Sequence, residues 1–252
     1  MKVLRYCLVV ALVLVMWSAV ALATIPTFGT TKITIYDSDV PPRGAHSAKI
    51  FSQTNTNGYM CELWTSCDVF WNLSYVEPFG LYNPRGFFVS VSWGPTSRSD
   101  GGTWDAYSYH NTRDLSVPDS GRATSQAHKT VPMEPPPPGM SASQVVAAAW
   151  SAAYGDVARS AEVSGFTVYS YGDLFTDAVP RLTRQQAVDL VFSWRARVQM
   201  TPGDWLPLVA VRGTDLFVRV YQVKVEGLCV LTEFTWNGTH WIEVGTADNV
   251  GR

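Results

Sequence analysis

The 252-residue sequence predicts a mainly β protein with an α+β C-terminal part: a β-sandwich-like N-terminal half, then two helices on an antiparallel sheet. Three observations carry this expectation. Residues 30–130 repeat short segments of period-two alternation broken by Gly, Pro and Asn, as half-buried strands do. Residues 141–198 hold two segments with apolar residues at helical spacing, each opened by a capping-box pair. Near the C terminus, Asn237-Gly238 joins two alternating segments, a strong short-range hairpin signal.

Residues 1–23 read as an export signal. Lys2 and Arg5 precede an apolar run from Cys7 to Val20, and Ala21-Leu22-Ala23 presents small residues in a cleavage-site pattern. The run is short of the ~20 residues that span a bilayer comfortably. Cleavage after Ala23 and a secreted or extracytoplasmic location are therefore expected, with retention as an anchor the alternative. No later stretch is apolar enough to span a membrane. Of the 19 basic residues Lys2 and Arg5 leave with the signal, so 17 stand against 21 acidic ones, a formal charge of −4. With no basic stripe, nucleic acid is not an expected partner. A hydrophobic fraction of 46% excludes a disordered chain. Nine of the ten tryptophans survive cleavage, more flat aromatic surface than a core of this size needs.

Residues 24–131 form the expected sandwich. "TKITIYD" alternates Ile33 and Ile35 with polar neighbours, and "VFWNLSY" sets Val69, Trp71, Leu73 and Tyr75 on one face. "NPRG" (83–86) fits a type I turn. The next segment puts Phe87, Val89, Val91 and Trp93 opposite serines, a strand with one wet face. Cys61 and Cys67 in "CELWTSC" are expected to form a loop-closing disulfide in an oxidising compartment. Cys229, in "GLCVL", reads as a small core residue.

Four consecutive prolines (135–138) within residues 132–140 favour an extended linker. In residues 141–252, Ser141 and Gln144 open an alanine-rich helix, and Thr183 and Gln186 open a second, stopped by Pro202-Gly203. "DLFVRVYQVKV" supplies a strand. A two-residue type I′ turn at Asn237-Gly238 would then place Trp236 opposite Thr239 and Phe234 opposite Trp241.

The chemistry-bearing stretch is "SDGGTWDAYSYHNTRD" (99–114), read as a loop or short hairpin. Trp104, Tyr107, Tyr109 and His110 offer rings beside polar groups, suited to a sugar or a protein surface. Asp100, Asp105 and Asp114 with His110 suggest the alternative, a secreted glycosidase-like hydrolase, which needs two carboxyl groups about 5–10 Å apart. The G-x-S-x-G elbow, H-E-x-x-H, P-loop and dinucleotide fingerprints are absent, so no cofactor is expected. Cysteine and histidine spacings match no metal site. Asn72-Leu73-Ser74 and Asn237-Gly238-Thr239 match the N-glycosylation sequon. The sum of these features is an exported, non-catalytic recognition or surface-assembly protein that binds a glycan or protein through exposed aromatics.

Overall fold

Alternation of apolar and polar side chains builds two facing sheets from the first half of the chain. The computed structural model describes residues 25–37, 46–98, 100–114, 120–131, 142–213 and 216–250. Residues 1–23, expected to be an export signal, the proline stretch 132–140 and Ser141 lie outside them. β1 (Phe28–Asp37), β2 (His46–Asn55) and β5 (Phe88–Arg98) form one antiparallel sheet in the order β1-β2-β5. β3 (Cys61–Trp71), β4 (Ser74–Gly86), β6 (Gly102–Arg113) and β7 (Ser120–Val131) form a second, in the order β4-β3-β6-β7. Ala48, Ile50, Cys67, Val69, Trp71, Trp104 and Ala106 fill the space between the sheets, with Ile33, Ile35 and Trp93 packed on them.

Four expectations for this half need correction. Residues 102–113 are not a loop or short hairpin but β6, a central strand buried on both faces. Its polar side chains imitate a loop, but Asp105 and His110 find polar partners within the protein. Cys61 and Cys67 are free thiols on one strand. Six residues of strand separate them by about 20 Å, whereas a disulfide needs Cα atoms within about 7 Å. β3 does not run on to Tyr75: Asn72 (φ 50°) and Leu73 (φ 66°) make a two-residue turn, and Trp71 pairs with Ser74. Two positive φ values match a type I′ hairpin. Finally, Asn83-Pro84-Arg85-Gly86 is the end of β4, and the chain crosses between sheets at Phe87. The Asn83 amide ties the crossing, accepting from Arg85 N (3.1 Å) and donating to Phe88 O (3.1 Å).

The second half holds both expected helices, α1 (Ala142–Val163) and α2 (Arg184–Arg195). The Thr183–Gln186 capping box is present at α2. A five-stranded antiparallel sheet carries them, in the order β12-β11-β10-β9-β8. Its strands are β8 (Thr167–Ser170), β9 (Leu208–Arg212), β10 (Phe217–Val223), β11 (Cys229–Trp236) and β12 (Trp241–Asp248), with a 3-10 helix at Tyr171–Phe175. One face packs on α1 through Leu208, Ala210, Tyr221, Val223 and Leu231, with Cys229 buried there as expected. The other face, with Val209, Val211, Val218 and Val220, packs on α2.

The C-terminal hairpin exists, but its turn is centred one residue later than expected. Trp236 pairs with Trp241 and Phe234 with Glu243. Of Asn237 and Gly238, only the glycine takes positive φ (102°). The Asn237 Oδ1 accepts from the amides of Thr239 and His240, both at 2.9 Å, and Asn237 N donates to His240 O. That Asx geometry moves the reversal onto Gly238-Thr239. Trp236 and Trp241 then meet edge to face at 5.3 Å.

The halves share a core. Phe70, Tyr75, Tyr107 and Tyr109, on the outer face of the four-stranded sheet, pack with Tyr171, Phe175 and Trp194. Within that core Asp68 is buried, bonded to Arg195 (2.9 and 3.0 Å), Tyr109 (2.6 Å) and Tyr75 (3.4 Å). Burial raises the Asp68 carboxyl above its ordinary value, while Arg195 and the two tyrosines oppose that.

Candidate functional site

The four sequence-predicted ligand residues are core. Trp104 and His110 are 0% exposed, Tyr107 4% and Tyr109 6%. β6 sends Trp104 and His110 inward, between the sheets, and Tyr107 and Tyr109 outward, under the C-terminal half. Trp104 lies 4.7 Å from Trp71 between ring centroids and donates its Nε1–H to His46 (2.7 Å). His110 bonds Thr54 (2.9 Å) and Ser125 (2.7 Å).

The carboxylates of the hydrolase alternative are spread along the same strand. Asp105 pairs with His128 (2.7 Å), whose imidazole is raised above its ordinary pKa chiefly by that hydrogen bond. Asp114 lies beyond the far end and accepts from Tyr59 (2.7 Å), whereas Asp100 is exposed before β6 begins. Nine residues of extended chain place Asp105 and Asp114 about 30 Å apart, too far to share a glycosidic bond. The sequon residues also have structural work. Asn72 accepts from Thr103 N (2.9 Å), and Asn237 shapes its turn.

A different row of side chains has the open geometry of a binding face. On β3, Cys61, Leu63, Thr65 and Cys67 are buried, so Glu62, Trp64 and Ser66 point to the opposite face. The C-terminal half covers that face at Asp68 and Phe70 and leaves the stretch around Trp64 uncovered. Cross-strand register aligns Tyr82, Trp64, Asn111 and Arg122 in one row over all four strands. Directly opposed residues point to the same side of a sheet. Three strand spacings make this row about 14 Å long.

Within the row, the Trp64 and Tyr82 rings stack at 4.9 Å with 28° between planes. The Tyr82 hydroxyl donates to Glu62 (2.7 Å), a bond that raises its pKa above the ordinary value. At the other end the Arg122 guanidinium lies 5.0 Å from the Phe192 ring centroid and 3.6 Å from Asp189. Arg122 also opens a cleft of about 320 Å³ lined by Phe192, Ser193, Arg197, Trp241 and Glu243. A sheet row of rings and polar groups thus runs into a groove at the junction of the two halves.

Trp64 is not singled out in the sequence because its neighbours in the row come from distant segments. The available signal was a tryptophan in the polar register of an alternating strand, where burial cannot account for it. Among the described residues no group of three or more His, Cys, Asp or Glu converges as a metal site would. Comparison of the chain with family models, with curated proteins and with solved structures finds no match.

Proposed function

We propose that this is an exported recognition protein that binds a short carbohydrate chain along the Tyr82–Trp64–Asn111–Arg122 row. The observation that carries the reading is the partly exposed, stacked Trp64–Tyr82 pair held in register with an amide and a guanidinium. Flat rings accept the C–H face of a sugar at low conformational cost, while Glu62, Asn111 and Arg122 can pair its hydroxyls. Export rests on the N-terminal signal pattern, and the mature N terminus is expected at Thr24.

A glycan array probed with the wild-type protein and with the double variant Trp64→Ala/Tyr82→Ala tests the site. The variant is expected to lose binding while still unfolding in one cooperative transition, with stability lowered by the lost pair and the ring area it buries. Undiminished binding by the variant, or an array with no hits, overturns the reading. N-terminal sequencing of protein recovered from the medium or periplasm tests export separately.

A further inference from the structure

The open face of the four-stranded sheet offers hydrogen-bond donors that the protein leaves unused. On β6, Arg113 stands opposite Glu62 of β3 just as Asn111 stands opposite Trp64, so both share the face of the row. On β7, Arg122 stands opposite Asn111, and Ser120 opposite Arg113. Arg113 and Arg122 are therefore diagonal neighbours on adjacent strands, about 7–8 Å apart, with Asn111 beside both.

Neither guanidinium is spent on the protein. Arg113 is exposed and, among the described residues, its side chain has no hydrogen bond and no ion pair. The Glu62 carboxylate opposite it accepts from the Tyr82 hydroxyl instead (2.7 Å). The charge of Arg113 is still close enough to oppose the rise in the Tyr82 pKa. Arg122 approaches Asp189 only at 3.6 Å, beyond hydrogen-bond distance, and that carboxylate already accepts from Gln185 (3.1 Å). The Arg122 side chain is 46% exposed. Each guanidinium presents five N–H donors in a planar fork that fits the oxygens of an anionic group. With a formal charge of −4 on the mature chain, the two arginines are a local feature and not part of a basic surface open to any polyanion.

We propose that the glycan taken along this row is acidic: an oxyanion on one sugar, carried as a carboxylate or a sulfate ester, seats between Arg113 and Arg122 while a neighbouring sugar lies on the Trp64–Tyr82 rings. This rests on the carbohydrate reading above, and backbone-matched pairs separate the two: oligogalacturonate and its methyl ester, sialylated and unsialylated lactosamine, sulfated and desulfated galactan. Titration of the wild-type protein is expected to show the acidic member of at least one pair bound about tenfold more tightly, the worth of one charge-assisted hydrogen bond. That gap should narrow as salt rises, and the pair that shows it tells carboxylate from sulfate. In Arg113→Gln/Arg122→Gln the gap is expected to close. Both side chains lie at the surface, so the variant should fold; if it does not, the wild-type pairs decide alone. Equal affinity within every pair that binds overturns the acidic preference and leaves the carbohydrate reading standing. A gap undiminished in the variant overturns the assignment to Arg113 and Arg122. No binding to any member overturns both readings.

Discussion

His110 shows how a buried residue can look functional in a sequence and prove structural. Thr54 donates its hydroxyl hydrogen to Trp64 O (2.7 Å), so it accepts from His110 Nδ1–H. The Nε2 lone pair then accepts from Ser125, which in turn meets Thr31 (2.6 Å). No room remains beside the ring, since a Cβ on Gly29 would lie 1.8 Å from it. Burial lowers the His110 pKa to about 4, whereas an unfolded chain titrates near 6.5. Between those values the unfolded chain binds a proton that the folded chain refuses, so stability falls as pH drops through this window. Acidification from pH 7 to 4 is expected to cost about 3 kcal/mol from this ring alone. His128 works with the opposite sign: its raised pKa adds stability at low pH that is lost as pH rises, and its exposure keeps that contribution small. NMR titration of the folded protein should show His110 still neutral at pH 5.5. A midpoint near 6.5 would contradict its placement.

Among elements, the ones legible in the sequence were those whose pattern is local. Helix α2 follows from its capping box and apolar spacing, and β1 and β5 follow from alternation against a wet face. Strand β6 was not legible, because its partners come from distant segments: His46 and Thr54 from β2, Tyr171 and Phe175 from beyond the proline stretch. A strand covered on both faces has no dry-and-wet alternation to read. The proposed row was hidden for a related reason, since Tyr82, Trp64, Asn111 and Arg122 become neighbours only through register. Turn chemistry was half legible, with positive-φ pairs falling at Asn57-Gly58 and Asn72-Leu73 instead of Asn237-Gly238. Two glycines with open space around them test this backbone account with opposite signs. Gly155 lies inside α1, so Gly155→Ala should stabilise by about 0.5–1 kcal/mol. Gly238 carries a φ of 102°, so Gly238→Ala should destabilise by about 1–2 kcal/mol. Urea unfolding of the two variants measures both, and a shared sign would mean that chain entropy does not govern these positions.

For the whole molecule, the question is what a proline stretch can separate when the segments on either side of it share a core. Covalent continuity through residues 132–140 is only one of the links between the halves. Tyr75 exchanges backbone bonds with Gly203 and Asp204, Leu73 O accepts from Leu206 N, and Arg184 reaches Thr124 (2.6 Å). At the centre of the joint the buried Asp68–Arg195 pair is ringed by tyrosines from both sides. Removing one member leaves a charge in the core without its partner, which costs about 3–5 kcal/mol, whereas replacing both by apolar groups of similar size costs much less. Asp68→Asn is therefore expected to loosen the joint, and Asp68→Leu/Arg195→Met to recover most of the loss. Protease nicking between residues 131 and 142 gives the cleanest measurement. Nicked wild-type protein should elute from size exclusion as one particle and unfold in one transition. Nicked Asp68→Asn should separate into fragments at lower urea, and the double variant should return toward wild type. Fragments of the wild type that part on nicking would show that the shared tyrosine core adds little once the chain between the halves is cut.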